Sequence, residues 1–121
     1  MARPRALFIF WLACHNRLAT KTRHSKFGAD VETTCCFCNF EETINHLFFE
    51  CLTRRNIWQQ VLDWLQITHD LEKWEEELKW IVNSSKGKGW KVQLLKSAAA
   101  ETVHAIWKYR NDVYFRKSSI L

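Results

Sequence analysis

The sequence predicts an all-α fold, and three observations carry that reading. Only three glycines and one proline occur in 121 residues, too few breakers for a hairpin-rich sheet. Apolar residues recur at helical spacing in one segment after another. Seven tryptophans and eight phenylalanines can fill the core of one domain of ordinary size. Five helices around a tryptophan-rich core are expected. Hydrophobic residues make up 47% and charged residues 26%, a globular balance rather than a disordered one.

Pro4 suits a helix's first turn, where its missing N–H costs nothing. Leu7, Phe10, Trp11, Cys14 and Leu18 follow at helical spacing, and Phe8, Ile9 and Leu12 widen the stripe. This helix is expected to be deeply buried, with Cys14 as a small hydrophobe. Thr20 can cap a short helix that reaches Phe27, with Gly28 stopping it in a left-handed position. Residues 29–34 are a polar lead-in to a cysteine cluster. Beyond it, Thr53 can cap a third helix with stripe Ile57, Trp58, Val61, Leu62 and Leu65. Leu71, Trp74, Leu78, Ile81 and Val82 mark a fourth. Glu75, Glu76 and Glu77 read as its solvated face.

Residues 83–89, rich in serine, glycine and lysine, read as a linker. It divides residues 1–82 from a terminal segment, 90–121, that packs on the same domain. The helix there spans roughly 90–115, with Val92, Leu95, Ala99, Val103, Ile106, Trp107, Val113 and Tyr114 on its buried side.

The longest apolar run, residues 6–14, is too short to cross a bilayer. No small-residue cleavage site follows it, and it continues into the helix-patterned His15-Asn16-Arg17, so it does not read as a signal peptide. An intracellular protein is expected, nucleus or cytoplasm being open. In a reducing compartment five cysteines are thiols or metal ligands rather than disulfides.

Cys35, Cys38, His46 and Cys51 form the pattern C-x2-C-x7-H-x4-C. A structural zinc ion takes four such ligands in a tetrahedron. Two cysteines with two residues between them bend through a tight knuckle, and a helix or turn can aim His46 and Cys51 at the same point. Four ligands leave no open position for water or substrate, so one structural zinc is expected rather than a catalytic one. Cys36 can replace Cys35 only by making a C-x-C knuckle, a poor one, and reads as a bystander. A thioredoxin-like C-x-x-C lacks its strand–helix context here. His15, His24, His69 and His104 are scattered without a partner at ligand spacing. No phosphate loop, paired acidic motif or nucleophile–base pair is visible, so no catalytic residue and no small-molecule substrate are expected.

Charge is segregated. Residues 1–34 carry six Lys/Arg against two Asp/Glu, residues 35–81 four against nine, and residues 82–121 eight against two. Basic ends flank an acidic middle, which allows nucleic-acid contact at the ends. Arg17, Lys21, Arg23 and Lys26 are candidate contacts beside the cysteine cluster. Lys108, Arg110, Arg116 and Lys117 form a second candidate patch. Phe37 and Phe40 can stack on unpaired bases if exposed, though at least one is expected to pack under the metal loop.

The Trp11-Leu12…Arg17-Leu18-Ala19-Thr20 lead-in, the Cys35-x2-Cys38 pair and Glu42-Thr43-Ile44-Asn45-His46-Leu47-Phe48-Phe49-Glu50-Cys51 occur together. In this combination they resemble the zinc-binding domain of plant reverse transcriptases, a module downstream of the polymerase in plant non-LTR retrotransposon proteins. Ile106-Trp107-Lys108-Tyr109-Arg110-Asn111 resembles a segment that commonly follows that domain. The resemblance implies the same four ligands and reverse transcription as the parent's biology. Cys36 departs from the pattern, where a small polar residue is more usual. No polymerase active site is expected within this chain, which reads as a fragment or solitary remnant of such an element. Three roles follow as expectations: help in binding RNA or DNA, a scaffold surface for the polymerase or another protein, or none, in a relic. The acidic residues Glu41, Glu42 and Glu50 weigh toward the scaffold, because they would repel phosphates.

Overall fold

In the computed structural model, residues 2–28, 32–51 and 55–120 are described, with the backbone alone for 117–120. Thr53, residues 29–31 of the polar lead-in and the Lys117 side chain lie outside the described residues. Five helices follow one another: α1 (Pro4–Cys14), α2 (Lys21–Lys26), α3 (Ile57–Trp64), α4 (Trp74–Ser84) and α5 (Trp90–Ile120). A π-helical turn, His46–Glu50, lies between α2 and α3. The described residues contain no strand, only an isolated antiparallel bridge between Thr34 and Glu41. The fold is mainly helical, as expected.

The helix ends follow local chemistry. Pro4 opens α1. The Thr20 side chain accepts a hydrogen bond from the Arg23 amide and caps α2, which Gly28 stops at φ +94°. At the end of α1, Asn16 takes φ +54°, the Asn16 amide bonds to the Ala13 carbonyl and the Arg17 amide to that of Leu12. This pair of bonds satisfies carbonyls that the last turn leaves open. The end of α3 repeats the device with Gln66 at φ +61°.

α5 is the spine, packed against α1, α3, α4 and the π-helical turn. Its buried residues recur at helical spacing and enter every cluster of the core. Leu95 and Ala99 meet Trp58 and Leu62 of α3 and Ile81 of α4. Val103, Ile106 and Trp107 meet Ala13, Leu18, Leu47, Phe48 and Trp74. Ala100 meets Ala2 and Ala6.

Two expectations need correction. α1 is not deeply buried: it seats Ala6 and Ala13 on α5 and leaves Leu7, Phe8 and Trp11 46–59% exposed. Small side chains let the two backbones approach, and α1 lies at the edge of the bundle with its larger residues outward. The core is only partly tryptophan-rich: Trp58, Trp74 and Trp107 are buried, whereas Trp64 and Trp90 are exposed.

The glutamate run of α4 is also not a uniform solvated face. Glu75 and Glu76 are exposed, but Glu77 is fully buried. Its carboxylate accepts from the Trp58 indole at 2.8 Å, the Glu72 amide at 3.1 Å and faces His69 Nε2 at 2.9 Å. His69, one of the scattered histidines, thus has a partner and also stacks on Trp80 at 3.6 Å.

Candidate metal centre

The site begins with a short pairing of extended backbone. The Glu42 amide donates to the Thr33 carbonyl at 2.7 Å and the Cys35 amide to the Phe40 carbonyl at 2.8 Å. The chain between them turns back through residues 36–40 as a knuckle. The Phe37 amide points at Cys35 Sγ at 3.5 Å.

His46 and Cys51 come from the π-helical turn. In an α-helix, position i+5 is rotated about 140° from position i. Here the Cys51 amide bonds back to the His46 carbonyl at 2.9 Å, an i→i+5 bond. The wider turn brings both side chains to one side. Thr43 anchors its start by accepting from the His46 amide at 3.0 Å. Leu47 and Phe48 plug the turn into the core, and Phe48 stacks on Trp74 at 4.8 Å. Asn45 accepts from the Trp74 amide at 2.8 Å, tying the turn to the start of α4.

The ligand atoms of Cys35, Cys38, His46 and Cys51 converge, all lying within 4.8 Å of one another. Cys35 Sγ and Cys51 Sγ are 3.9 Å apart, and Cys38 Sγ and His46 Nε2 are 3.1 Å apart. In a zinc tetrahedron with bonds of about 2.3 Å, two sulfurs stand about 3.8 Å apart. The donor set therefore fits zinc, and the Cys35–Cys51 pair stands at that separation. Cys35, His46 and Cys51 are buried and Cys38 is half-buried. Cys36 is half-buried and outside this group. Cys14 is remote in role: burial pushes its thiol up to about 11.

One residue that no spacing rule pointed to joins the site to the fold. Glu42, at the exit of the knuckle, is fully buried. Arg110 of α5 grips its carboxylate through Nε at 2.8 Å and Nη2 at 2.6 Å. The Lys21 amide, in the first turn of α2, donates to the same carboxylate at 2.8 Å. The Glu42 carbonyl accepts from the Thr22 hydroxyl at 2.8 Å. Glu42 thus fastens the knuckle to α2 and α5.

This geometry divides the candidate nucleic-acid contacts. Arg110 is 4% exposed, paired with Glu42 and set over the rings of Trp107 and Tyr114 at 4.7 Å. It is committed to the interior and is corrected to a structural role. Lys21 is likewise buried, with Nζ donating to the Thr34 carbonyl. Arg17 and Lys26 are exposed, and Arg23 is half-exposed with Nη1 on the Asn16 carbonyl at 2.7 Å. Lys108 is exposed and pairs with Asp112, and Arg116 is exposed. Glu42, being buried and paired, does not repel phosphates. Phe37 stacks on Tyr109 of α5 at 5.5 Å, whereas Phe40 is 66% exposed.

Residues 1–58 match the family described as zinc-binding in reverse transcriptase. The match covers the knuckle, the π-helical turn and all four converging residues, and no polymerase active-site domain is matched. No curated protein and no solved structure matches the chain. No helix among the described residues is long and apolar enough to cross a membrane.

Proposed function

From a chain whose residues 1–58 match the family described as zinc-binding in reverse transcriptase, we propose a non-catalytic module in which one structural zinc shapes a surface for RNA or DNA. The observation that carries this reading is the convergence of Cys35, Cys38, His46 and Cys51 within 4.8 Å. Four protein ligands fill a tetrahedral shell and leave no position for a reacting water. The ion closes the knuckle onto the π-helical turn, and Glu42 passes that constraint to α2. Reduced thiolates that hold a metal suit an intracellular setting.

Nucleic acid is the favoured ligand because residues 2–28, which hold α1 and α2, contain no Asp/Glu and six Lys/Arg, of which all but the buried Lys21 are exposed or half-exposed. Such a surface attracts phosphates with a binding strength that falls steeply with salt. A protein partner, the polymerase or another chain, is the second reading. It is favoured by Leu7 and Phe8, which α1 leaves about half exposed.

The test is a salt titration of RNA and DNA binding by the zinc-loaded protein, alongside its self-association by light scattering. Binding that weakens linearly in log–log salt supports the first reading. Absence of binding at low salt, with concentration-dependent association, supports the second.

A further inference from the structure

We infer that the nucleic acid taken by this surface is single-stranded, its bases stacking on Trp11 and Phe27; this rests on the nucleic-acid reading above. Both rings belong to the α1–α2 stretch, whose own residues include no carboxylate, with Trp11 46% and Phe27 71% exposed. Each carries a guanidinium against it, Arg17 at 5.6 Å from Trp11 and Arg23 at 4.7 Å from Phe27. The His15 ring lies tilted against Trp11, with centroids 4.3 Å apart.

The two ring–cation pairs are joined. Arg23 Nη1 holds the Asn16 carbonyl, and Asn16 is followed directly by Arg17. The left-handed turn at Asn16 puts that junction at the corner between α1 and α2. Asn16, Arg23, Lys26 and Phe27 line a surface groove of about 440 Å³, with Glu75 of α4 as its one acidic lining residue.

The pairing of open rings with cations decides the ligand class. In a duplex the base faces are already stacked on each other, so exposed rings gain nothing there. Unpaired bases offer π-faces to aromatic platforms, while their phosphates meet Arg17, Arg23 and Lys26. The candidates favoured by position in the sequence are less suited: Phe37 is packed on Tyr109, and Phe40 shares a depression with two carboxylates, Glu41 and Glu50, against one arginine, Arg55.

The experiment titrates the zinc-loaded chain with fluorescein-labelled oligo(dT), oligo(rU) and a duplex of equal length. Variants are Trp11→Ala, Phe27→Ala, Phe27→Tyr, Arg17→Gln and Lys26→Gln, each checked for unchanged metal content and circular dichroism. Trp11→Ala and Phe27→Ala are each expected to weaken single-strand binding roughly tenfold and to leave duplex binding unchanged. Phe27→Tyr keeps wild-type binding. Arg17→Gln and Lys26→Gln each lower the salt slope by about one phosphate contact.

Equal affinity for duplex and single strand, insensitive to the ring variants but sensitive to Arg17→Gln, overturns this inference and leaves the nucleic-acid reading standing. Loss of all binding in the wild type overturns both.

Discussion

Arg110 reaches across 68 positions of sequence to grip Glu42 with two hydrogen bonds, of 2.6 and 2.8 Å, in the interior. Neither side chain is more than 5% exposed. The pair couples the end of the metal knuckle to the long helix α5 and supports the start of α2 through the Lys21 amide. Removing one partner strands the other as a buried charge, which costs about 3–5 kcal/mol. Arg110→Met is therefore expected to destabilise zinc-loaded protein by that amount in urea denaturation. Glu42→Leu with Arg110→Met loses less than the two single changes together. Lys26→Met, at an exposed site, stays within about 0.5 kcal/mol of wild type; equal stability of Arg110→Met and Lys26→Met would contradict the pairing.

Zinc content separates the four converging residues from Cys36. Wild type and Cys36→Ser are expected to hold one equivalent, and Cys38→Ser and His46→Ala to lose it. Binding of the ion is folding free energy, on the order of 10 kcal/mol in small zinc domains. A chelator is thus expected to loosen the knuckle and π-helical turn, read as loss of helical circular dichroism and a falling unfolding midpoint. Zinc retained by His46→Ala but lost by Cys36→Ser would move the ligand register.

Much of this was legible in the sequence, and the failures have physical causes. Periodicity located four of the five helices, the Thr20 cap and the Gly28 stop located α2, and spacing alone selected the four residues that converge. The orientation of α1 was hidden because residues 6–14 are continuously apolar and show no polar face to mark the outside. Which aromatic rings stay exposed depends on neighbours that spacing does not name. Glu77 and Arg110 did leave a trace: Glu77 lies between Trp74 and Ile81 on the α4 stripe, and Arg110 continues the Val103, Ile106, Trp107 stripe of α5. A charged residue on a buried stripe needs a partner, and Glu42, 68 positions away from Arg110, was beyond any local pattern. Both members of that pair nevertheless fall in stretches that carry the family resemblance, Glu42–Cys51 and Ile106–Asn111.

Glu77 holds three donors inside the protein, so its loss is expected to be felt at a distance. Glu77→Leu leaves the Trp58 indole and the Glu72 amide without an acceptor. Each buried donor left unpaired costs about 1–3 kcal/mol. The expected readout is a lower unfolding midpoint with altered near-ultraviolet circular dichroism, as Trp58 shifts. Glu76→Leu, one residue away and exposed, should leave both signals in place; matching behaviour of the two variants would refute the buried role.

Acid stability carries the mark of one surface pair. Arg3 Nη2 meets Glu101 at 2.8 Å, and that contact holds the Glu101 carboxyl at about 2, well below its usual 4.5. A depressed carboxylate stabilises the fold fully above its unfolded value and loses that contribution as pH falls toward its folded value. The gap in unfolding midpoint between wild type and Glu101→Gln is expected to be constant above about pH 5 and to close toward pH 2. Because Arg3 is largely exposed, salt should shrink the gap at every pH. A gap that widens on acidification would rule out the pair as its source.

The end of α3 offers a stabilising change. Gln66 sits at φ +61°, and its amide bonds to the Asp63 carbonyl as α3 closes. A residue with a Cβ in the left-handed region costs roughly 1–2 kcal/mol, which glycine avoids. Glycine also loses more chain entropy on folding, so the net gain from Gln66→Gly is about 1 kcal/mol. The side chain is exposed, so little packing is lost. The expected result is a midpoint raised by a few degrees, unchanged zinc content and unchanged nucleic-acid binding. Gln66→Ala should give no such gain, because alanine keeps the Cβ. If the alanine and glycine variants were equally stable, backbone strain at this turn would not be the cause.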